Sequence, residues 1–382
     1  MTRLFGAFGT LIVVLALAVG AGSARPDTPP AKALDIYFVD IGRGVGNATL
    51  IVAPSGESML LDAGPEHAAG RVLEVMKRAG VKQVDYLVIT HYHADHCGAT
   101  AALAAQVPIR NYVDHGPSVE VGKSDDWWKQ RRAPWFRQGM GKEYDRRYNA
   151  YLKAREGSRH VVVRPGDTVP LKGVEVRVLC AGGKVLDKPL PGAGQKNPAC
   201  ADVERRADDD AEDAQSIGVR LRLGKFRFVF LGDLTWNIEN ALFCPVNRVG
   251  TVDAYLVTHH AQSFARDMGD YYHGLSACPK SEVQGLRPRV AILSLGAAGH
   301  RQGTPEAIKT VRSSPGLEDV WQTNWVEAGG EKEHNSPKDY CASIGPMRGP
   351  ARYIKLSAAA DGSFTMLNSR NNFTKKYPPR KE

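Results

Sequence analysis

From residue 34 onward, apolar and polar positions fall into short blocks that predict their own secondary structure. ALDIYFVDIG and ATLIVAPSGESMLLDAG hold brief runs of Ile, Val, Leu and aromatics joined by Gly-containing turns, which predicts paired strands. RVLEVMKRAG gathers Val72, Leu73, Val75 and Met76 and stops at Gly80, the pattern of an amphipathic helix. VDYLVIT predicts a buried strand and ATAALAAQ opens the next helix. In the second half VEVRVL, SIGVRLRLG, FRFVFLGD, AYLVTHH and VAILSL predict strands, and PEAIKTVRSS a helix entered through Thr304 and Pro305. Strands alternating with helices and hairpins predict a layered α/β domain over residues 34–315. Residues 316–382 are richer in Gly and Pro and read as an irregular C-terminal extension.

The N-terminus departs from this pattern. MTRLFGAFGTLIVVLALAVGAGSARP has a basic residue, an apolar run and then small residues, the layout of a secretory signal peptide over residues 1–24. An uncleaved membrane anchor is the alternative, but the apolar run is short for a span of about 20 residues. The Pro-rich stretch 25–33 follows as a linker. The expectation is an exported protein, periplasmic or secreted, with no stable membrane association after cleavage. Export makes disulfides possible for the six cysteines. Cys180–Cys200 and Cys244–Cys278, each flanking a loop-bearing segment, are the pairs expected. Cys97 reads as a packed free thiol, and the absence of C-x-x-C spacing argues against a thiolate zinc site.

Composition is that of a folded protein, 43% hydrophobic and 24% charged, with a net charge of +9 that suits an anionic partner. Residues 118–160 hold eleven Lys/Arg against six Asp/Glu, a surplus of five. The same insertion carries Trp127, Trp128, Trp135, Phe136, Tyr144, Tyr148 and Tyr151. Interleaved basic and aromatic side chains suit a single-stranded DNA groove; equally, the aromatics can pack on the main domain while the charges face water.

The densest chemistry is ITHYHADHCG, directly behind a predicted strand. His91 and His93, two apart, project to one side of an extended loop. Asp95 and His96 follow where a turn can aim them at a nearby point. Imidazole and carboxylate are zinc's oxygen/nitrogen ligand set, so these residues can serve two adjacent cations. Further ligands should come from other strand ends. Gly232-Asp233 follows FVFL, where a carboxylate can bridge two ions while glycine permits close backbone approach. His259 and His260 follow AYLVT; one should ligate while the other meets substrate or a supporting carboxylate. His115 is a candidate for lining the site, and His160 reads as structural or surface.

On these pieces the chain resembles the metallo-β-lactamase superfamily of metal-dependent hydrolases, and within it the ComEC-type group related to competence DNA-uptake proteins. DIGRGVGNATLIVAPSGESMLLDAG, VDYLVITHYHADHCGAT, DAQSIGVRLRLGKFRFVFLGD and VDAYLVTHHAQS run in family order over roughly residues 34–310. The resemblance implies a four-layer αββα sandwich with metals at one edge of the two sheets. It implies His91 and His93 at one metal, Asp95 and His96 at the other, Asp233 between them, and His259 or His260 completing the set. There are departures. Where the family supplies another histidine, this chain reads AEDAQS, leaving Glu212, Asp213 or Gln215. Asp213 as ligand would make a harder site, friendlier to manganese or magnesium. Ala261 and Gln262 replace the Gly and Ser of HHGS, HRQGTP replaces a terminal His-Pro with His300 nearby, and IGRGVGN lacks the acid of VGQGD.

The expected function is hydrolysis by water activated on one or two divalent cations, zinc first and manganese second. Asp95 would orient the nucleophile and His260 protonate the leaving group. A phosphodiester in nucleic acid or a nucleotide is the expected substrate, given the basic charge. A lactam, lactone or ester hydrolase on the same metals is one alternative. A non-catalytic, exported nucleic acid-binding protein is another.

Overall fold

The computed structural model describes residues 1–2, 33–132, 136–296, 302–326, 334–345 and 349–381. The expected signal peptide, Trp135 and His300 lie outside them. The chain divides into two units, Met1–Ala31 and Lys32–Glu382, and the architecture that follows is that of the second. No helix among the described residues is long and apolar enough to cross a membrane.

Two nine-stranded sheets form the body. In the first, Leu34–Val39 is flanked by Thr49–Val52 and Ser58–Leu61 on one side. Val84–Val88, Ile109–Asp114 and Arg159–Val162 then add in parallel. In the second, Phe226–Phe230, Ala254–Leu256, Val290–Leu293 and Asp319–Asn324 run in parallel; Gly218–Leu223 pairs antiparallel with the first of them and Glu175–Ala181 antiparallel with Gly218–Leu223.

Alternation along the strands makes the layers. Leu34, Ile36 and Phe38 join Phe226, Phe228 and Phe230 in one cluster between the sheets. Tyr37 and Val39 point the other way, into a cluster with Val72, Val75 and Met76 of the helix Ala69–Arg78. Val229, Tyr255 and Leu293 likewise meet Val283 and Ile308 of helices outside the second sheet. Parallel strands buried on both faces need helical crossovers to cover them, and the helices fill that role. The result is the expected αββα sandwich.

Two expectations need correction. Residues beyond 316 are not an irregular tail: Asp319–Asn324 and Cys341–Ser343 extend the second sheet, and Tyr353–Ala358, Phe364–Asn368 and Thr374–Tyr377 extend the first. Leu34 pairs with Ala358 and Val39 with Tyr353, so the C-terminal strands cover what would otherwise be an open sheet edge. Ile354, Leu356 and Ala358 enter the inter-sheet core.

The cysteine pairing also differs. The bond is Cys200–Cys244, with Cys97, Cys180, Cys278 and Cys341 free and buried. Cys180 lies on a central strand and packs among apolar side chains. Meanwhile Asn197 Nδ2 donates to Phe243 O at 3.2 Å and Lys196 bridges Val246, bringing Cys200 to Cys244.

Candidate metal centre

Every candidate ligand but one follows a strand whose C-terminal end opens at the same edge, the usual place for ligands in open α/β sheets. His91 and His93 follow Val84–Val88, and the short helix Ala94–Cys97 then presents Asp95 and His96. Asp233 follows Phe226–Phe230, and His259 and His260 follow Ala254–Leu256. Asp213 instead opens a short turn, Asp213–Gln215, shaped by the Asp209 carboxylate accepting from Ala211 N and Ala214 N at 3.0 Å each.

Close approach of these segments needs particular backbone. Gly232 adopts φ +63°, and a Cβ there would sit 3.0 Å from Ser216 and Thr90. Gly46 packs its α-carbon on the Asp95 carbonyl, 2.4 Å from where a Cβ would stand. His259, His260 and Ala261 all take left-handed backbone, with φ of 49°, 51° and 55°. Ala261 thus holds the conformation that the missing glycine would favour, at a cost of about 1–2 kcal/mol. The turn is pinned from outside: Gly303 N donates to His260 O at 2.8 Å and Thr304 N to Ala261 O at 2.9 Å.

The side chains converge in two adjoining groups. Asp95, His96, Asp233 and His260 form one, and His91, His93 and Asp213 the other, each with ligand atoms within 4.8 Å of one another. His96 Nε2 lies 3.2 Å from His260 Nε2 and 3.2 Å from Asp233 Oδ2. Asp95 Oδ2 lies 3.7 Å from both imidazoles. In the second group His91 Nε2 and His93 Nδ1 are 3.0 Å apart, and Asp213 Oδ1 lies 3.4 Å and 2.7 Å from them. Asp233 and Asp213 gather with His259 as well, so Asp233 stands between the two sets. Asp213 is the residue of AEDAQS that joins His91 and His93.

His260 belongs to the four-residue group and His259 to a group with Asp213 and Asp233, a division that the sequence leaves open. His260 Nδ1 meets the Ser294 carbonyl at 3.0 Å, which turns Nε2 onto the cluster. His259 borders the open cavity, its Nε2 3.7 Å from Asp233 Oδ2.

A buried polar frame aims the imidazoles. Asp62 Oδ2 holds His96 Nδ1 at 2.7 Å while Asp62 Oδ1 accepts from Thr90 N at 2.8 Å. Thr90 and Ser216 hydroxyls reach His91 Nδ1 at 3.1 Å and 3.5 Å. Glu120, fully buried, meets His93 Nε2 at 3.2 Å, and Arg132 Nη2 lies 3.7 Å from Asp213 Oδ2. Asp62, Glu120 and Arg132 were not singled out from sequence. LLDAG, an acid ending a buried strand, is the signal that could have found Asp62; Glu120 and Arg132 sit in an irregular insertion that carries none.

His115 does not join the centre. Its Nε2 meets Glu212 Oε2 at 3.1 Å, and Glu212 also accepts from Ser118 Oγ and Val119 N at 2.8 Å each. Glu212 is therefore a tie between the insertion and the domain. His160 binds Asp114 Oδ2 at 2.8 Å, beside Tyr151 and Arg155, a structural contact.

The electrostatics suit cations. Burial works to raise the Asp233 carboxyl, yet His96, His260 and His259 beside it hold it well below its usual range. Burial opposes ionisation of Asp213 too, and His93, His259 and Arg132 overcome it. Asp233 Oδ1 and His259 Nδ1 are buried without a hydrogen-bond partner among the described residues. Orphaned acceptors facing imidazole nitrogens fit divalent cations, which would satisfy both at once.

A cavity of about 490 Å³ opens over the cluster. His93, Asp95, Asp213, Asp233 and His259 form its floor; Arg132, Arg137, Arg147, Trp128, Met140 and Tyr144 of the insertion form one wall. Trp128, Tyr144, Tyr148 and Tyr151 are buried on the main domain. These aromatics therefore anchor the insertion, and Trp128 and Tyr144 border the cavity beside its arginines.

Residues 41–195 match the family described as Metallo-beta-lactamase superfamily. A stretch of 97 residues is 29% identical to Endoribonuclease ysh-1 of Neurospora crassa, covering 24% of this chain and 11% of that protein. Among solved structures, CmlA, a diiron β-hydroxylase from Streptomyces venezuelae, aligns at a TM-score of 0.41 and 14% identity over 77% of this chain and 53% of that one. The metallo-β-lactamase SMB-1 aligns at 0.35 and 16% identity over 76% and 86%. Within residues 41–195, a minority of the chain that includes His91, His93, Asp95 and His96, the sequence is thus similar to the metallo-β-lactamase superfamily.

Proposed function

We propose that this protein is an exported hydrolase of phosphodiester bonds in nucleic acid or nucleotides, working with one or two divalent cations. The observation that carries the reading is the position of three arginines over two adjoining His/Asp groups. A floor built for cations beneath a cationic wall suits an anionic, phosphate-bearing substrate and disfavours a neutral lactam or lactone. The match to an endoribonuclease over part of its length points the same way. The ComEC-type likeness rests on the four sequence pieces quoted above. Export is supported by the signal-like N-terminus and by the Cys200–Cys244 bond, which favours an oxidising compartment.

His91, His93 and Asp213 would hold one cation, Asp95, His96 and His260 the other, with Asp233 shared. When bound, such ions supply an acidified water and neutralise charge developing on phosphate oxygens. Asp95, the most exposed of the set with a side chain 29% accessible, is placed to orient the attacking water. His259, bordering the cavity, is placed to give a proton to the leaving oxygen. Arg132 offers its guanidinium to a non-reacting phosphate oxygen.

Elemental analysis together with turnover tests the reading. Purified protein should hold one to two zinc or manganese ions per chain and hydrolyse bis-p-nitrophenyl phosphate, with His93→Ala losing both properties. Turnover of a chromogenic cephalosporin alone would replace the substrate class. Metal-independent DNA binding without turnover would replace enzyme by binder.

A further inference from the structure

We infer that the insertion carries a second anion subsite, formed by Arg137 and Arg147 around Glu143, which takes a terminal phosphate of the substrate beside the metal centre. The inference rests on the phosphodiester reading and narrows it to short or chain-terminal substrates.

Both arginines line the same cavity as Asp95, Asp213 and His259. Arg137 Nη2 donates to Glu143 Oε2, and Arg147 Nη1 stands 3.8 Å from the same oxygen. One carboxylate shared by two guanidiniums orients both and leaves a net positive charge, with most of their N–H donors uncommitted among the described residues. Arg147 Nε is buried and has no hydrogen-bond partner among the described residues.

The mount is rigid. Arg147 lies on the helix Met140–Ala154, whose Tyr144, Tyr148 and Tyr151 are buried against the domain. The insertion is further tied by Arg131, which binds Asp210 at 2.5 Å and lies 5.6 Å from the Tyr271 ring. Arginine pairs bind phosphate with parallel N–H donors. A terminal phosphate approaches two negative charges near neutral pH, whereas an internal diester carries one, so a pair of guanidiniums discriminates between them. A cavity of about 490 Å³ is also of small-ligand size.

The dinucleotides pTpT and TpT share one diester and differ in the terminal phosphate, so they isolate the subsite. With metal-loaded protein, KM for pTpT should lie at least about tenfold below that for TpT. In Arg137→Gln/Arg147→Gln that ratio should fall to within about twofold. Glu143→Gln, which frees both guanidiniums, should widen the ratio and so provides a second reading should the double variant fold poorly. Equal KM values in the wild type, or a ratio that survives the double substitution, overturn the subsite alone. Failure to hydrolyse either dinucleotide or bis-p-nitrophenyl phosphate overturns the phosphodiester reading and the subsite together.

Discussion

Two carboxylate clusters in this protein are equally buried and behave in opposite ways. In the metal centre, Asp213 and Asp233 face imidazoles, and both are held below the usual carboxylate range against the cost of burial. Behind the His259–His260 turn, Glu239 and Glu282 are both 0% exposed but face each other. Burial first, then the Glu282 charge, drives the Glu239 carboxyl well above its ordinary range, and burial raises Glu282 too. The difference teaches that burial alone does not set charge; the partner does. The first cluster holds negative charge that invites a cation, whereas the second retains protons and invites none.

The largest effect should follow from removing negative charge where both ligand groups share it. Asp233→Asn keeps the volume and loses the charge; turnover should fall by about 10²–10³-fold or more. Metal bound per chain, measured by elemental analysis after dialysis, should drop with it. Unchanged metal content would break the contrast, because imidazoles alone would then suffice.

Next comes the support of an imidazole. Asp62→Asn replaces the carboxylate that holds His96 Nδ1 with an amide. Metal affinity should weaken by about 10–100-fold, read by competition with a chelating dye. Smaller again is Asp213→His, which restores the imidazole expected at that position. It should raise the zinc-over-manganese preference by roughly tenfold, as softer nitrogen replaces hard oxygen. An unaltered preference would mean that Asp213 is not a ligand.

These variants also separate what sequence could reveal from what it could not. The 91–96 cluster was legible because its residues share one loop, and Asp233 and the 259–260 pair because each ends a short apolar strand. Asp213 was visible only as a gap in a family pattern, since nothing local distinguishes it within VERRADDDAEDA. Arg132 and Glu120 meet His93 and Asp213 only through tertiary packing of a long insertion. The order of His259 and His260 depended on three consecutive left-handed residues, a conformation that no residue type in THHAQ announces. Cysteine proximity along the chain misled because the 181–199 loop folds back onto residue 244. The C-terminal strands do alternate, as Tyr353–Ala358 demonstrates, but the flanking Gly and Pro residues obscured them.

The smallest effect lies in the second cluster and tests the contrast from its other side. Glu282 Oε1 accepts from Tyr255 Oη at 2.8 Å and Thr258 Oγ1 at 2.9 Å, and Glu239 Oε1 from Cys278 N at 3.2 Å. Their second oxygens have no other donor among the described residues, so one proton between them is the economical arrangement. Glu239 has a raised pKa in the folded state, so the native protein binds more protons than the unfolded chain. Its favourable contribution is complete below the unfolded value of 4.5 and is lost as pH rises towards the folded value. Glu239→Gln supplies a permanent N–H donor to Glu282 and removes that titration. The variant should therefore gain on the wild type as pH rises from 5 to 8, by about 1 kcal/mol, measured as denaturant midpoints at both pH values. Parallel pH profiles would mean that the pair shares no proton, and that facing carboxylates in this fold are not distinguished from those facing imidazoles.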